Sequence, residues 1–203
     1  MRRVGLLGGA FNPPHEGHLR LAKLALEHLD LDELRFVPTA LSPHKPDPGG
    51  PDAPGRLRLL DEALQGLDPR VRIEPLEVAR GGTSYTVDTL ETLARTEPSA
   101  RWILIMGSDQ LLGFRTWRRP ERILQLASLA VGLRPGVPLA ETAGLEPVQA
   151  WSGEPGQLVL LPSTDLNLAS SRLRRQLLAN PDQDPKGIPA RVLRTIRSKN
   201  LYR

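Results

Sequence analysis

Cysteine is absent from the 203 residues, which excludes disulfides and every thiolate-based metal or redox site. The absence fits a reducing compartment, and a cytoplasmic location is the expectation. No apolar run is long enough to cross a bilayer, so no membrane partner is expected. The opening MRRVGLLGGAFNPPHEG joins two arginines to a short apolar run, as a leader peptide does. That run is too short and breaks into Asn-Pro-Pro-His, so it is not read as a leader. Charge of one sign is not in great excess: 27 basic side chains face 23 acidic ones, for a net charge of +4. The mild surplus admits a nucleic-acid-binding module as a reading from another class. The basic residues are scattered and do not form a stripe interleaved with aromatics, which argues against it. Aromatic residues make up only 4% of the chain, and histidines number 4. Two of those histidines, His15 and His18, stand three apart just after a Gly-Gly pair.

What is present is an alternation of strand-like and helix-like segments. RRVGLLG (2–8) reads as a buried strand, and the segment 15–29 as a helix with Leu19, Ala22, Leu26 and Leu29 at helical spacing. ELRFVPT (33–39) is a second strand, followed by a Pro- and Gly-rich loop over 40–55. A helix over 55–67, a strand over 70–77 and a helix over 84–95 come next, with Ser84 as the expected N-cap. RWILIMG (101–107) is the most strand-like segment. A short helix over 120–127 and a strand over 128–134 follow, then an irregular stretch over 135–156 and a last strand over 157–162. Helices over 170–180 and 189–201 close the pattern. Strands separated by helices predict a doubly wound, mostly parallel, Rossmann-like α/β sheet with helices on both faces. The absence of a repeat or a convincing linker predicts one domain over 1–203, its helical part beginning near 168. Ligands of such sheets bind beyond the carboxyl ends of the strands, where strand order reverses. The ends of the first strand and of RWILIMG should therefore be neighbours.

Those ends read GGAFNPPHEGH and GSDQ. A helix start offers unpaired N–H groups and the positive end of a dipole, which attract phosphate. Gly8 and Gly9 let a ligand approach the backbone, and Pro13 and Pro14 suit the turn into a helix. Histidines at i and i+3 can serve one target, and Gly17 removes bulk between them. Three readings stand: a phosphate cradle with two imidazole donors, a two-ligand metal set, or a plain turn. The metal reading lacks an obvious third ligand, His44 being the nearest candidate.

The stretch GGAFNPPHEGH resembles the GG(T/S)FDPxHxGH signature of the HxGH nucleotidyltransferase superfamily, with Ala10 and Asn12 standing where that family usually has Thr or Ser and Asp. Further stretches resemble the nicotinate-mononucleotide adenylyltransferases within it: PHK at 43–45, SYTVDTL at 84–90, MGSDQLLGFRTW at 106–117, LRPG at 133–136 and LASSRLR at 168–174. In the last of these Ala169 replaces a usual Ser. Together they span most of the chain in the expected order.

The resemblance implies adenylyl transfer from ATP to nicotinate mononucleotide, giving deamido-NAD and pyrophosphate in NAD biosynthesis. It implies that His15, His18 and Arg174 are catalytic. Gly8, Gly9, Ala10, Phe11, Gly107, Asp109 and Ser171 would join them in binding ATP, Asp109 through a ribose hydroxyl. His44, Lys45, Ser84, Tyr85, Thr86, Trp117 and Arg134 would serve the mononucleotide, with Trp117 stacked on the pyridinium ring. Trp102 and Trp151 read as packing residues, and Arg172 and Arg175 as solvent charges. Magnesium is expected with ATP, held by phosphates and water and not by a protein cage. A nicotinamide-mononucleotide enzyme, or another nucleotidyltransferase of the superfamily, is the alternative. Monomer and homo-oligomer both remain open.

Overall fold

The computed structural model describes residues 1–43, 49–133, 142–163, 168–180 and 183–202. His44, Lys45 and Arg134 lie outside these. In chain order the elements are β1 (Arg2–Gly9), α1 (Glu16–His28), β2 (Glu33–Pro38), α2 (Ala53–Leu64), β3 (Val71–Ile73), α3 (Leu76–Arg80), α4 (Thr86–Thr96) and β4 (Ala100–Gly107). There follow α5 (Ser108–Leu112), a 3-10 turn (Phe114–Thr116), α6 (Pro120–Leu126), β5 (Ala127–Gly132), β6 (Pro147–Val148), β7 (Leu158–Leu161), α7 (Ser170–Ala179) and α8 (Ala190–Ser198).

The strands form one 7-stranded sheet in the order β3-β2-β1-β4-β5-β7-β6, and every pairing is parallel. The expected α/β architecture is therefore the observed one. Strands buried on both faces are apolar throughout, and their alternation divides the core in two. Leu7, Ile103, Ile105 and Ala130 face the layer that contains α1, α2, α7 and α8. Val4, Leu6, Trp102, Leu104, Met106, Leu129 and Val131 face the layer of α4, α5 and α6. The α1 stripe of Leu19, Ala22 and Leu26, with Leu29 at its C-cap, is buried as its spacing requires.

Trp151 lies under the Arg3 guanidinium at 4.5 Å and Trp102 under that of Arg35 at 5.5 Å, both as buried packing residues. Burial opposes the charge of Arg35, but hydrogen bonds and charge from Glu97, then Glu74, outweigh it and raise its pKa. In return the Arg35 hydrogen bonds, above all, hold the Glu97 carboxyl below its usual range.

Three local expectations need correction. The strand expected over 70–77 ends at Ile73, and Leu76–Arg80 is helix with Pro75 at its N-cap. Proline fixes its own φ and suits a helix start, so it marks the boundary here. The N-cap of α4 is Tyr85, not Ser84. Within the stretch read as irregular, Pro147–Val148 forms a two-residue strand that pairs with β7 at the sheet edge.

Candidate active site

β1 and β4 are hydrogen-bonded neighbours, with Leu7 level with Ile105, so the ends at Gly9 and Gly107 emerge together. From there β2 lies to one side and β5 to the other, which makes the gap between β1 and β4 the switch point. A cavity of about 660 Å³ opens there. Its wall contains every residue expected to meet ATP: Gly8, Gly9, Ala10, Phe11, His15, His18, Gly107, Asp109, Ser171 and Arg174.

The turn from β1 to α1 sets the imidazoles. Phe11 holds φ 47°, a left-handed conformation that a bulky residue resists by roughly 1–2 kcal/mol. Its ring is fully buried against Phe36, 5.5 Å between centroids, which offsets that cost. His15 is the N-cap of α1 and only 3% exposed. Its ring stacks on that of His18 with centroids 3.7 Å apart and planes 20° apart. The Phe11 ring packs steeply inclined against His18, with centroids 4.9 Å and planes 71° apart. Gly17 leaves room for the stack, because a Cβ there would sit 3.0 Å from His15 Nδ1 and press on that ring. The backbone N–H of His15 donates to His18 Nδ1 at 3.2 Å. That bond makes Nδ1 an acceptor, so the neutral His18 ring carries its proton on Nε2 and is a donor there. The fixed tautomer is what a phosphate ligand needs.

Glycine matters at Gly8 for a different reason. Among the described residues a Cβ at this position would meet no atom within 4 Å beyond its chain neighbours, yet the residue lines the cavity. A side chain there would occupy ligand space.

α7 docks onto the same turn. Ser170 Oγ donates to Pro13 O at 3.0 Å, and Arg174 Nη1 donates to Asn12 O at 2.7 Å. Ser171 and half-buried Arg174, near the start of α7, thus line the same cavity as the imidazoles. Arg172 and Arg175 are exposed, as expected.

Sequence reasoning missed Arg56. It is 6% exposed and lines the cavity. Nη1 donates to Ala10 O at 2.8 Å, and Nη2 donates to Thr39 O at 2.7 Å and Ala40 O at 2.9 Å. One guanidinium therefore ties the ends of β1 and β2 together. The signal was present: Arg56 shares the buried face of α2 with Leu59, Leu60 and Ala63. A charge on an apolar stripe is the informative observation.

Among the described residues, those expected at the mononucleotide end, Ser84, Tyr85, Thr86 and Trp117, are not part of this wall, and the start of α4 is tied to it. Leu41 forms a parallel bridge with Thr83, and Ser84 N donates to Leu41 O at 2.9 Å. The Ser84 hydroxyl, free of capping duty, accepts from Ala40 N at 2.9 Å. These bonds hold the start of α4 beside the 39–42 segment, which is cavity wall. Tyr85 and Thr86 are half-buried there, with the Arg118 guanidinium 4.6 Å over the Tyr85 ring. Trp117, next to Arg118, tilts against Phe114 at 5.4 Å between centroids. Behind them Glu77 is buried, and desolvation raises its carboxyl pKa despite hydrogen bonds from Thr89 and Ser84.

The class is thereby set: a doubly wound, nucleotide-binding α/β protein with its crevice at the strand-order reversal. The cytidylyltransferase-like family matches it over residues 6–177. A protein of Bordetella petrii named "Probable nicotinate-nucleotide adenylyltransferase" is 37% identical, each chain covered over 100% of its length. One of the same name from Bordetella avium is 40% identical, covering 100% of this chain and 99% of its own. The chain belongs to the cytidylyltransferase-like family, and within it to the nicotinate-nucleotide adenylyltransferases. A solved structure of Plasmodium falciparum nicotinic acid mononucleotide adenylyltransferase complexed with NaAD has a TM-score of 0.78, covering 100% of this chain and 98% of that one. At 17% identity that likeness shows the fold alone.

Proposed function

We propose that this chain transfers the adenylyl group of ATP to nicotinate mononucleotide, yielding deamido-NAD and pyrophosphate for NAD biosynthesis. The observation that carries the reading is the convergence of His18, Arg174 and the glycine-lined end of β1 on one switch-point cavity. An oxygen of the mononucleotide 5′-phosphate attacks the α-phosphorus of ATP. The new P–O bond forms as the bond to the β-phosphate oxygen breaks, and pyrophosphate leaves with the charge. The nucleophile is already anionic, so catalysis needs alignment and charge dispersal and no strong base. That fits a wall of donors and cations. His18 Nε2–H and the N-terminus of α1 would meet the triphosphate, with His15 bracing the His18 ring. Arg174 and Ser171 would hold the β- and γ-phosphates, guanidinium being suited to bidentate phosphate contact. Asp109 would accept from a ribose hydroxyl.

Among the described residues no group of three metal-binding side chains gathers as a cage. The donors of the cavity wall suit magnesium carried in on the phosphates, where it would neutralise part of their charge. Lys45, His44 and Arg134 are assigned to phosphate contacts at the mononucleotide end. Among the described residues no helix is long and apolar enough to cross a membrane. We place the reaction in the cytoplasm.

The acid substrate is favoured over the amide. The first-turn N–H groups of α4, near Tyr85 and Thr86, precede its intrahelical bonds and can serve both oxygens of a carboxylate. A carboxamide would turn its NH₂ donor toward one of them. A mispaired buried polar group costs about 1–3 kcal/mol, which gives a preference of roughly five- to 150-fold. Competition between nicotinate and nicotinamide mononucleotide, read as a ratio of kcat/KM, measures it. A ratio near one, or in favour of the amide, contradicts the substrate assignment while leaving adenylyl transfer intact.

A further inference from the structure

Asn12 is only 4% exposed and stands in the cavity wall. Its partners come from distant parts of the chain. The main-chain oxygen accepts from Arg174 Nη1 at 2.7 Å, Nδ2 donates to Gly49 O at 3.0 Å, and Oδ1 accepts from the Tyr202 hydroxyl. Of asparagine and aspartate, the amide can donate to a carbonyl and accept from a phenol at once, whereas an ionised carboxylate can only accept. A carboxylate would face the Gly49 oxygen without a proton. This gives a physical reason for Asn at a position where the resembled signature has Asp.

Tyr202 reaches this point against backbone preference. It holds φ 64°, and Asn200 holds φ 52°, both left-handed. Bulky L-residues resist that region and persist in it only when their surroundings over-determine it. Here the Leu201 N–H bonds to Ile196 O at 3.0 Å, and the Tyr202 ring is 4% exposed within the core. Burial raises the phenol pKa, and the nearby charges of Arg174 and Arg56 act in the opposite sense. The hydroxyl therefore remains a protonated donor, and its electrostatic neighbours are the arginines of the cavity wall. Gly50 lies directly on the pair. A Cβ there would stand 2.6 Å from Tyr202 Cε1 and 2.9 Å from Asn12 Oδ1. The segment from Gly50 to Asp52, which forms part of the wall, is thus seated on Asn12 and Tyr202.

We infer that Tyr202 is a positioning residue for the phosphate end of the cavity, acting through Asn12 on Arg174 and on the turn at Gly49–Gly50. The inference rests on the reading of the cavity as an ATP site. Its hydroxyl fixes which way the Asn12 amide points. The amide in turn fixes the turn, and the Asn12 carbonyl fixes the reach of Arg174.

Tyr202→Phe isolates the hydroxyl because it keeps the buried ring. Steady-state kinetics should show kcat/KM for ATP falling by about ten-fold, the worth of one buried hydrogen bond. KM for the mononucleotide should stay close to wild type, and the melting temperature should fall by only about 2–4 °C, the cost of one lost hydrogen bond. In an Asn12→Ala background, the same Tyr202→Phe change should cost nothing further, since its route of action is gone. Wild-type kinetics for Tyr202→Phe would overturn the inference. So would an equal loss in both backgrounds, or a loss of melting temperature that accounts for the kinetics, because each marks a packing role. Calorimetric titration of wild type with ATP separates the two readings. No binding overturns the ATP site itself, whereas wild-type binding with an unaffected Tyr202→Phe overturns only the positioning role.

Discussion

His18→Ala should lower turnover at saturating ATP by about 100- to 1,000-fold, the usual loss when one preorganised donor to a transition-state charge is removed. The fold should survive. The His18 ring is half-buried, and its Nδ1 accepts the N–H of His15 at 3.2 Å. Losing such a bond costs about 1 kcal/mol, or roughly 2–4 °C in melting temperature for a chain of this size. The two readouts therefore separate chemistry from packing. Because Nδ1 is engaged by His15, only Nε2 is available as the donor, and alanine removes it whole. Near-normal turnover by a folded His18→Ala would mean that charge dispersal belongs to Arg174 or Arg56 instead.

Gly8→Val should lower kcat/KM for ATP by about 100-fold, the scale of a misplaced substrate in an alignment-driven reaction. Its melting temperature should hardly change. The reason is steric and one-sided. Among the described residues, and beyond its chain neighbours, no atom lies within 4 Å of a Cβ at Gly8, so none of them has to move aside. Gly8 sits in a parallel strand, paired level with Val37, where a β-branched residue is locally welcome. The added methyls have only the cavity to enter. Gly9 makes a contrast, since a Cβ there would press on the Phe11 ring at 3.3 Å. A folded Gly8→Val with unchanged ATP kinetics would show that the triphosphate does not cross the end of β1.

Much of this architecture is legible in the residues because it is encoded locally. The Leu19, Ala22 and Leu26 spacing defines the buried face of α1, and the apolar run of RWILIMG defines β4. Gly17, in the first turn of α1, is legible as room between the two histidines, but the stacking of their rings is not. What escapes is set by partners far away in the chain. Ser84 has the chemistry of an N-cap, but its hydroxyl is taken by Ala40 N–H, 44 positions away. The Asn12–Tyr202 bond spans 190 positions, and nothing local to either residue signals it. Pro147–Val148 is too short for any period to show. Arg56 and Pro75 are different, because both carried a local signal: a charge on an apolar stripe, and a proline at a boundary. At the candidate site, the part of the cavity wall from Gly8 to His18, proposed to meet ATP, follows directly from the GGAFNPPHEGH stretch. The mononucleotide end is less direct: the start of α4 is tied to the wall through bonds from Ser84 to Leu41 and Ala40, and is not part of it.

The fate of each ATP phosphate tests the central claim most directly. ATP labelled at the α-phosphorus or at the γ-phosphorus is incubated separately with the protein, nicotinate mononucleotide and magnesium, and the products are resolved. Label from the α-position should appear in deamido-NAD, and label from the γ-position in pyrophosphate, each only when the mononucleotide is present. Label from the γ-position in the mononucleotide or in orthophosphate, or pyrophosphate release that ignores the mononucleotide, would contradict adenylyl transfer by this chain.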